Sequence, residues 1–298
     1  MTAIIRKELA DYFGSLRCLV LFVLVFLVTA LTLYTAKSVL PGSGTAEFTF
    51  LRLYTSELSG VPFSFLLNFI NFMALFFVPV IGVVLGFDAI NRERSGGTLS
   101  RIMSQPVYRD SVINGKFLAG LIILSIMMTT AVLLVGGYGL SMITGVPPSA
   151  EEIIRLFIYL VSIIIFGAFW IGLSILFSIL FRSLATSIIC SIAIWLFFSF
   201  GMLIIGLGVA ESPEAFQTIL RISPNWLFGQ ASSAILQPAV RTLGTITEAQ
   251  MTYMIPNPLS LGQSMVLIWP NLTSLVSLSV ICFGISYILF MRQEIRAT

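Results

Sequence analysis

Residues 87–120 read FDAINRERSGGTLSRIMSQPVYRDSVINGKFLAG and hold the densest run of charged side chains in the chain. Stretches without any charged residue lie on both sides, at 58–87 and at 117–150. A charged side chain in the middle of a bilayer costs about 2.5–3.5 kcal/mol, so charge-free stretches show where membrane-spanning helices lie. The quoted segment is therefore predicted to connect two membrane crossings.

The composition agrees with a membrane protein. The 298 residues are 57% hydrophobic and 10% charged, and the mean hydropathy is +1.02, whereas about a quarter of the residues in a soluble domain are charged. The same values exclude a disordered chain, and three cysteines are too few for a disulfide scaffold. The sequence has no histidine, which excludes Ser/His and Cys/His nucleophile pairs and His-ligated zinc.

Charge-free stretches of sufficient length predict six spans. About 20 helical residues cross the roughly 30 Å of hydrocarbon, and lipid tolerates no unpaired backbone groups, so each span is predicted to be a helix. The predicted fold class is therefore all-α, a polytopic membrane protein forming one transmembrane domain over residues 1–298. A further stretch, 222–240, is interrupted by proline and polar residues, which favours a re-entrant or interfacial segment. The six predicted spans lie near 18–36, 63–87, 117–143, 153–181, 184–210 and 267–291.

The distribution of Lys and Arg predicts the orientation. With six spans, 11 Lys and Arg residues fall on the side of the termini and 5 on the other side. Because short cytoplasmic segments carry the excess of positive charge, both termini are predicted to lie in the cytoplasm and the protein in the cytoplasmic membrane. The first span is too long and lacks a nearby small-x-small cleavage pattern, so we do not expect a removable signal peptide.

The N-terminal segment 1–17 has helical periodicity. Ile5, Leu9, Tyr12, Phe13 and Leu16 fall on one face of a helix. Such a pattern predicts an interfacial helix that lies along the inner leaflet with this apolar face toward the lipid. A simple membrane anchor and a specific coupling element both fit the pattern.

The segment 88–116 has its own internal organisation. Gly96 and Gly97 permit a turn, Thr98 suits a helix N-cap, and Pro106 ends the run. Between them lies a small apolar face of Leu99, Ile102 and Met103. A short cytoplasmic helix with such a face either folds back on the protein or docks into a groove on a partner, whereas a merely solvated loop remains the simpler alternative.

Residues 87–120, together with RKELADYF at 6–13, resemble the membrane-spanning (permease) subunit of type 2 ABC transporters. The resemblance is to an exporter-like group that includes permeases of multi-copper enzyme maturation and of drug and ion efflux. The family pattern combines an acidic-Arg pair, Gly-Thr-Leu, Ser-x-Pro, an arginine and Gly-Lys entering the third span. The matching residues here are Glu93-Arg94, Gly97-Thr98-Leu99, Ser104 with Pro106, Arg109, and Gly115-Lys116.

The resemblance implies that two permease subunits, identical or homologous, pair in the lipid bilayer. Each would bind a cytoplasmic ABC ATPase that carries ATP and Mg, while the permease binds no cofactor or metal and no nucleic acid. It implies a coupling helix in 88–116, an elbow helix in 1–17 and short re-entrant helices in 211–266. The implied elbow-helix residues include Arg6, Lys7 and Glu8. The implied ATPase contacts are Glu93, Arg94, Gly97, Thr98, Leu99, Ile102, Ser104, Pro106 and Arg109.

The chain lacks a motor sequence of its own. Its one Gly-Lys pair, Gly115-Lys116, has neither the earlier glycine nor the following Ser or Thr of a phosphate-binding loop. ATP hydrolysis is therefore expected on a partner chain, and no catalytic residue is expected here. Two other classes remain as alternatives, an ion-gradient-driven carrier and an intramembrane enzyme. Both are disfavoured because no Asp or Glu falls inside the predicted spans.

The sequence does not identify a substrate. Asn68 and Asn71 lie three residues apart on the second predicted span and are candidates to line a transport path. Interhelical hydrogen bonding is the commoner role for such residues. The three cysteines fall on three different predicted spans without metal-ligand spacing. Outward transport is expected from the family resemblance alone.

Overall fold

The computed structural model describes residues 1–40, 48, 50–57, 68–97, 108–145, 147–238 and 259–292. Within these ranges every regular element is helical, which confirms the predicted all-α class. The α-helices are α1 (Thr2–Phe13), α2 (Leu16–Val39), α3 (Arg52–Thr55), α4 (Phe69–Phe72), α5 (Val78–Gly86), α6 (Asn91–Ser95), α7 (Arg109–Gly139), α8 (Ala150–Leu180), α9 (Leu184–Leu196), α10 (Met202–Val209), α11 (Pro213–Leu220), α12 (Pro224–Leu236) and α13 (Leu261–Arg292).

Six helices in these ranges are long and apolar enough to cross a membrane, which confirms the predicted number of spans. We call them the first to sixth spans. In chain order they are Leu16–Val39, Phe69–Ser95, Arg109–Thr144, Ala150–Leu180, Leu184–Val209 and Leu261–Arg292.

The third and fourth spans begin earlier than predicted because their helices continue through charged residues. The third span starts at Arg109 rather than near 117, and it includes Lys116. The fourth starts at Ala150, where Ser149 and Glu152 form a capping box: each side chain accepts a hydrogen bond from the backbone of the other residue. A charge marks the end of the hydrocarbon region, but a capped or neutralised charge does not end the helix.

The second and fifth spans are each interrupted by one π-helical turn. These turns are Met73–Phe77, between α4 and α5, and Phe197–Gly201, between α9 and α10. Such turns leave backbone carbonyls available to other partners. The carbonyl oxygen of Leu75 accepts hydrogen bonds from Trp195 Nε1 at 2.7 Å and from Ser199 Oγ at 3.0 Å. These two bonds join the second and fifth spans near their π-helical turns.

The fourth span lies at the centre of the bundle. It packs against α5, α7, α9, α12 and α13. Seventy-two per cent of its most apolar stretch is buried, against 17% for the fifth span and 22% for the sixth. The fifth and sixth spans therefore lie at the periphery. The second span approaches the fourth closely at Gly82, where a Cβ would lie 2.4 Å from the Cβ of Trp170.

The described part of the segment between the fifth and sixth spans contains two short helices, α11 and α12. Helix α12 has 13 residues, about 20 Å at 1.5 Å per residue, which is too short to cross the bilayer. It packs against the fourth and sixth spans, and Phe228 stacks on Phe166 with ring centroids 4.5 Å apart. The non-spanning character predicted for 222–240 agrees with this helix over its described part.

Candidate functional site

The structure describes the two ends of the segment 88–116 but not its middle. Residues 98–107 are not described, and they include the predicted short helix. Thr98, Leu99, Ile102, Ser104 and Pro106 therefore lie outside the described residues. What the structure describes is the two roots of the segment, 88–97 and 108–116.

The first root is fixed by serines of the fourth and fifth spans. Helix α5 ends at Gly86, and the chain turns before α6. Ser178 Oγ accepts hydrogen bonds from the backbone N–H groups of Ile90 and Asn91, at 3.0 and 3.1 Å. Ser187 Oγ donates to the carbonyl oxygen of Phe87 at 2.9 Å. The turn thus has partners for the backbone groups that the helix break exposes, and these partners set the direction of α6.

A buried ion cluster joins the two roots to the N-terminal helix. Lys116 Nζ lies 2.9 Å from Glu93 Oε1 and 2.9 Å from Glu8 Oε1. The side chain of Lys116 is 5% exposed, that of Glu93 10% and that of Glu8 12%. Lys7 Nζ, at the rim, lies 3.4 Å from Glu93 Oε1. We call Lys7, Glu8, Glu93 and Lys116 the root cluster; its two positive and two negative charges balance.

The two carboxylates of the root cluster raise the pKa of Lys7. Partial burial lowers the pKa of Lys7, but the negative charges of Glu93 and Glu8 outweigh burial, and the pKa lies above its ordinary value. Lys7 therefore stays protonated at neutral pH.

Helix α1 packs along the third span and does not lie apart from the bundle. A Cβ at Gly115 would lie 2.8 Å from Ile4 Cγ2, so the two helices touch at that glycine. Tyr12 Oη donates to the carbonyl oxygen of Leu85 at 2.7 Å. Burial, together with the charges of Glu8 and Asp88, raises the pKa of Tyr12 well above its ordinary value, so the phenol remains a donor.

The apolar face that was predicted to meet lipid is divided in the structure. Leu9 and Tyr12 are partly buried against the bundle, whereas Phe13 and Leu16 are 54% and 76% exposed and remain available to lipid. Glu8 is also buried on the packed face, because Lys116 neutralises it. Periodicity treats every carboxylate as solvent-facing, so it could not place this one. Arg6 and Lys7 are exposed, as their charges lead one to expect.

Arg17, at the start of the first span, makes the next contact along the chain. Its guanidinium pairs with the carboxylate of Asp88 and lies over the ring of Phe87, 5.3 Å from the centroid. The first span is thereby attached to the turn that follows α5. Ser15, between α1 and α2, caps α2 by accepting from the backbone N–H of Cys18 at 3.3 Å.

The described residues of the predicted ATPase contact lie in three different environments. Glu93 faces the interior and belongs to the root cluster, so its carboxylate is not presented outward. Arg94 is partly exposed on α6, and Arg109 is partly exposed at the first position of α7. Gly97 lies in the predicted turn with φ of +65°, a left-handed conformation that favours glycine.

The two asparagines proposed for a transport path have different surroundings. Asn68 is 3% exposed and caps α4 by accepting from the backbone N–H of Ile70 at 2.9 Å. Its Nδ2 donates to Glu57 Oε1 at 2.9 Å. Asn68 thus stabilises the start of the second span as a helix cap, a role that was not predicted from the sequence. Asn71 lies within α4 and is partly buried.

One buried charge has a structural role that the sequence did not indicate. Arg155 is 1% exposed, and its guanidinium donates to the carbonyl oxygens of Ile235 and Leu259 at 3.1 and 2.6 Å. It also donates to Ser264 Oγ at 3.0 Å and pairs with Glu151 Oε1 at 2.7 Å. The fourth span, the end of α12 and the start of the sixth span are thus held together by a single side chain.

The described residues contain no group of three or more His, Cys, Asp or Glu side chains placed to hold a metal ion. Cys18, Cys190 and Cys282 are free thiols on three different spans. We therefore assign no metal site within these ranges.

The chain is similar to known transporter proteins over most of its length. The model of the family described as ABC-2 family transporter protein matches residues 2–295. The chain is 29% identical over 184 residues to a probable ABC transporter permease protein NosY of Pseudomonas aeruginosa, covering 61% of this chain and 56% of that protein. It is 30% identical over 123 residues to a probable ABC transporter permease protein NosY of Stutzerimonas stutzeri, covering 41% and 39%. The matches thus span about half or less of each relative.

Proposed function

This chain belongs to the ABC-2 family of transporter proteins, and on that premise we propose that it is the permease subunit of an ATP-binding cassette transporter. The family match over nearly the whole chain is the observation that carries the proposal, and the six apolar helices agree with it. The permease would supply half of a transmembrane path and export a substrate that neither sequence nor geometry specifies.

The motor of the transporter would be a separate ABC ATPase that binds ATP and Mg. The full sequence contains no phosphate-binding loop. The excess of Lys and Arg on the side of the termini supports a cytoplasmic position for the segment 88–116 and for both termini. An ATPase docking there would have access to ATP.

The ATPase would contact the outward part of 88–116. Arg94, Gly97 and Arg109 border this part among the described residues, and Thr98, Leu99, Ile102, Ser104 and Pro106 belong to it by sequence. We assign Glu93 a different role, because its carboxylate is occupied by Lys116. Glu93 is a positioning residue that holds the root of the segment.

The root cluster would transmit motion of the segment 88–116 to the third span and to α1. The ion pair between Glu93 and Lys116 joins the two ends of the coupling segment, and Glu8 joins both to α1. Breaking a buried ion pair by removing one partner costs about 3–5 kcal/mol, which favours movement of these elements as one unit. ATP-driven motion of the ATPase would then displace the third span and the elbow helix together.

A second permease copy or a homologue would complete the path. The first and fifth spans expose most of their apolar residues, with 33% and 17% of their most apolar stretches buried. Exposed apolar helix surface in a bilayer faces either lipid or another subunit. The pairing itself is taken from the family and not from these surfaces.

The proposal is tested by co-purifying the full chain with a co-expressed ABC ATPase from the same organism. We expect a stable complex whose ATPase activity depends on the permease. Leu99→Asp should weaken binding at least about tenfold, since a buried unpaired charge costs more than about 1.4 kcal/mol. Ser141→Asp, which adds the same charge at an exposed position at the far end of the third span, should bind as the unchanged protein does.

The outcomes separate the function from the docking site. If no ABC ATPase of that organism bound the chain, the permease assignment would be overturned. Equal binding by the Leu99→Asp and Ser141→Asp variants would leave the permease assignment in place and refute the docking site.

A further inference from the structure

A cavity of about 370 Å³ opens beside the root cluster, where α1 meets the first span. It lies among α1, the start of α2, the end of the second span and Lys116. Its volume falls within the range of about 300–1,000 Å³ typical of small-ligand sites. Because Arg17 stands at the second residue of the first span and Asp88 lies two residues after the end of α5, the cavity lies at the depth of the lipid headgroups.

Charged side chains of both signs line the cavity in equal number. The cations are Lys7, Arg17, Arg92 and Lys116. The anions are Glu8, Asp11, Asp88 and Glu93. A site with no net charge matches a ligand that carries both signs.

The cavity has a paired interior and an accessible rim. Lys116 is enclosed by Glu8 and Glu93, and its ammonium contacts Oε1 of each carboxylate at 2.9 Å. At the rim, Asp11 and Lys7 keep 58% and 54% of their side chains exposed. Arg92 is exposed as well, and Arg17 is half exposed beside Asp88. The rim thus presents cations and an anion that still contact solvent.

The other wall of the cavity is apolar. Cys18, Leu21, Val84 and Leu85 line this wall. Cys18 and Leu21 belong to the buried face of the first span, and an exposed apolar stripe begins beside them, below Arg17. The stripe consists of Val20, Leu24 and Leu27, which follow Arg17 at helical spacing and are 48%, 37% and 58% exposed.

We propose that this cavity binds the headgroup of an amine-bearing zwitterionic phospholipid, phosphatidylethanolamine. The phosphate contacts Arg17, Arg92 and Lys7, and the ammonium donates hydrogen bonds to Asp11. The acyl chains lie along the exposed stripe of the first span. The bound lipid fixes the angle between the elbow helix and the first span. This site goes beyond the proposed function and does not depend on what is transported.

The charge balance favours this lipid over the other common classes. An anionic lipid offers no group for Asp11, and its net charge is not matched by a site of zero net charge. A choline headgroup carries no N–H donor, so it forms no hydrogen bond with a carboxylate. Phosphatidylethanolamine satisfies both the cations and the anion at the rim.

The test measures lipid bound to the delipidated full chain by native mass spectrometry. Phosphatidylethanolamine, phosphatidylcholine and phosphatidylglycerol are added separately at equal concentration. We expect retention of phosphatidylethanolamine to exceed that of each other lipid about fivefold or more, the scale of one partly exposed ion pair. Comparable retention of the three lipids, or a preference for phosphatidylglycerol, would overturn the proposal.

Matched variants locate the binding. Arg92→Gln should lower phosphatidylethanolamine retention about fivefold. Arg6→Gln removes the same charge from an exposed position on α1 that does not line the cavity, and it should leave retention unchanged. Asp11→Asn should also lower retention, whereas simple attraction of phosphate to positive charge predicts a rise. Equal effects of Arg92→Gln and Arg6→Gln, or a rise with Asp11→Asn, would contradict the site.

Free phosphoethanolamine distinguishes a lipid from a soluble ligand with the same chemistry. We expect it to compete only at a large molar excess, because it lacks the acyl chains that contact the apolar stripe. Competition at concentrations equal to those of the lipid would refute the lipid assignment. Each of these measurements is independent of ATPase binding, so this proposal and the proposed function fail separately.

Discussion

Glu93 and Lys116 form a buried ion pair, with Oε1 and Nζ 2.9 Å apart, between the C-terminal end of the second span and the N-terminal part of the third. The pair closes the segment 88–116 at its root. Glu8 of α1 contacts the same ammonium group, so three chain segments meet at one cation. Lys116 of the Gly-Lys motif thus joins the second and third spans to α1.

Lys116→Met should destabilise the protein. The substitution keeps most of the aliphatic side chain but removes the buried cation from Glu8 and Glu93 and leaves them with the half-exposed Lys7. The expected cost is about 3–5 kcal/mol, measured as a lower midpoint of thermal unfolding in detergent. Lys37→Met, at an exposed position near the end of the first span, is the control and should change the midpoint little. Equal midpoints for the two variants would show that the pairing contributes no stability.

Gly115→Ala should displace α1 from the third span. The new methyl group would lie 2.8 Å from Ile4 Cγ2 and 3.2 Å from Ile4 Cβ, atoms close to the main chain that cannot swing away. Overpacking of this kind costs about 1–3 kcal/mol. Gly137→Ala on the same helix meets no atom within 4 Å, and it should stabilise the helix by about 0.5–1 kcal/mol. The two thermal midpoints should therefore move in opposite directions, and a shift in the same direction would contradict the close contact.

Ser178→Ala should loosen the turn at the end of the second span. The backbone N–H groups of Ile90 and Asn91 would lose their acceptor in a buried setting. An unsatisfied buried donor costs about 1–3 kcal/mol. Amide hydrogen exchange at these two residues should quicken in the variant. Ser125→Ala is the control, because Ser125 Oγ bonds to Leu121 O of its own helix; unaltered exchange in both variants would refute the role of Ser178.

Arg155→Met should weaken the attachment of α12 and the sixth span to the fourth span. The carbonyl oxygens of Ile235 and Leu259 would each lose a charged donor. The expected loss is about 3 kcal/mol or more in the free energy of unfolding. Arg221→Met, at an exposed position after α11, should have little effect on a urea or thermal unfolding midpoint. A stable Arg155→Met protein would show that this buried cation is dispensable.

The distribution of charge in the sequence was enough to predict the number and helical type of the spans. A charge-free stretch can be recognised without knowing its neighbours, because the bilayer penalises any lone charge. The exact ends of the helices could not be predicted in this way. Lys116 and Glu152 lie within helices because each has a partner, and partners are contributed by other segments.

The candidate site was predicted as a segment and revised as a set of contacts. The motif in 88–116 indicated the segment that we propose for coupling, and the turn predicted at Gly96-Gly97 agrees with the positive φ of Gly97. The inward position of Glu93 could not be predicted, because it depends on Lys116 and Glu8, 23 and 85 residues away. The contacts of Arg155 were missed for the same reason, since its acceptors lie up to 109 residues away.

By itself, the sequence determined the solvent of this protein, its six helical crossings and its predicted orientation, since these follow from the cost of placing charge in hydrocarbon. Tertiary structure alone decided which charges are buried, which helix lies at the centre and how α1 is attached. Those properties depend on contacts between segments that are distant in the sequence, and the periodicity of a single helix carries no information about them.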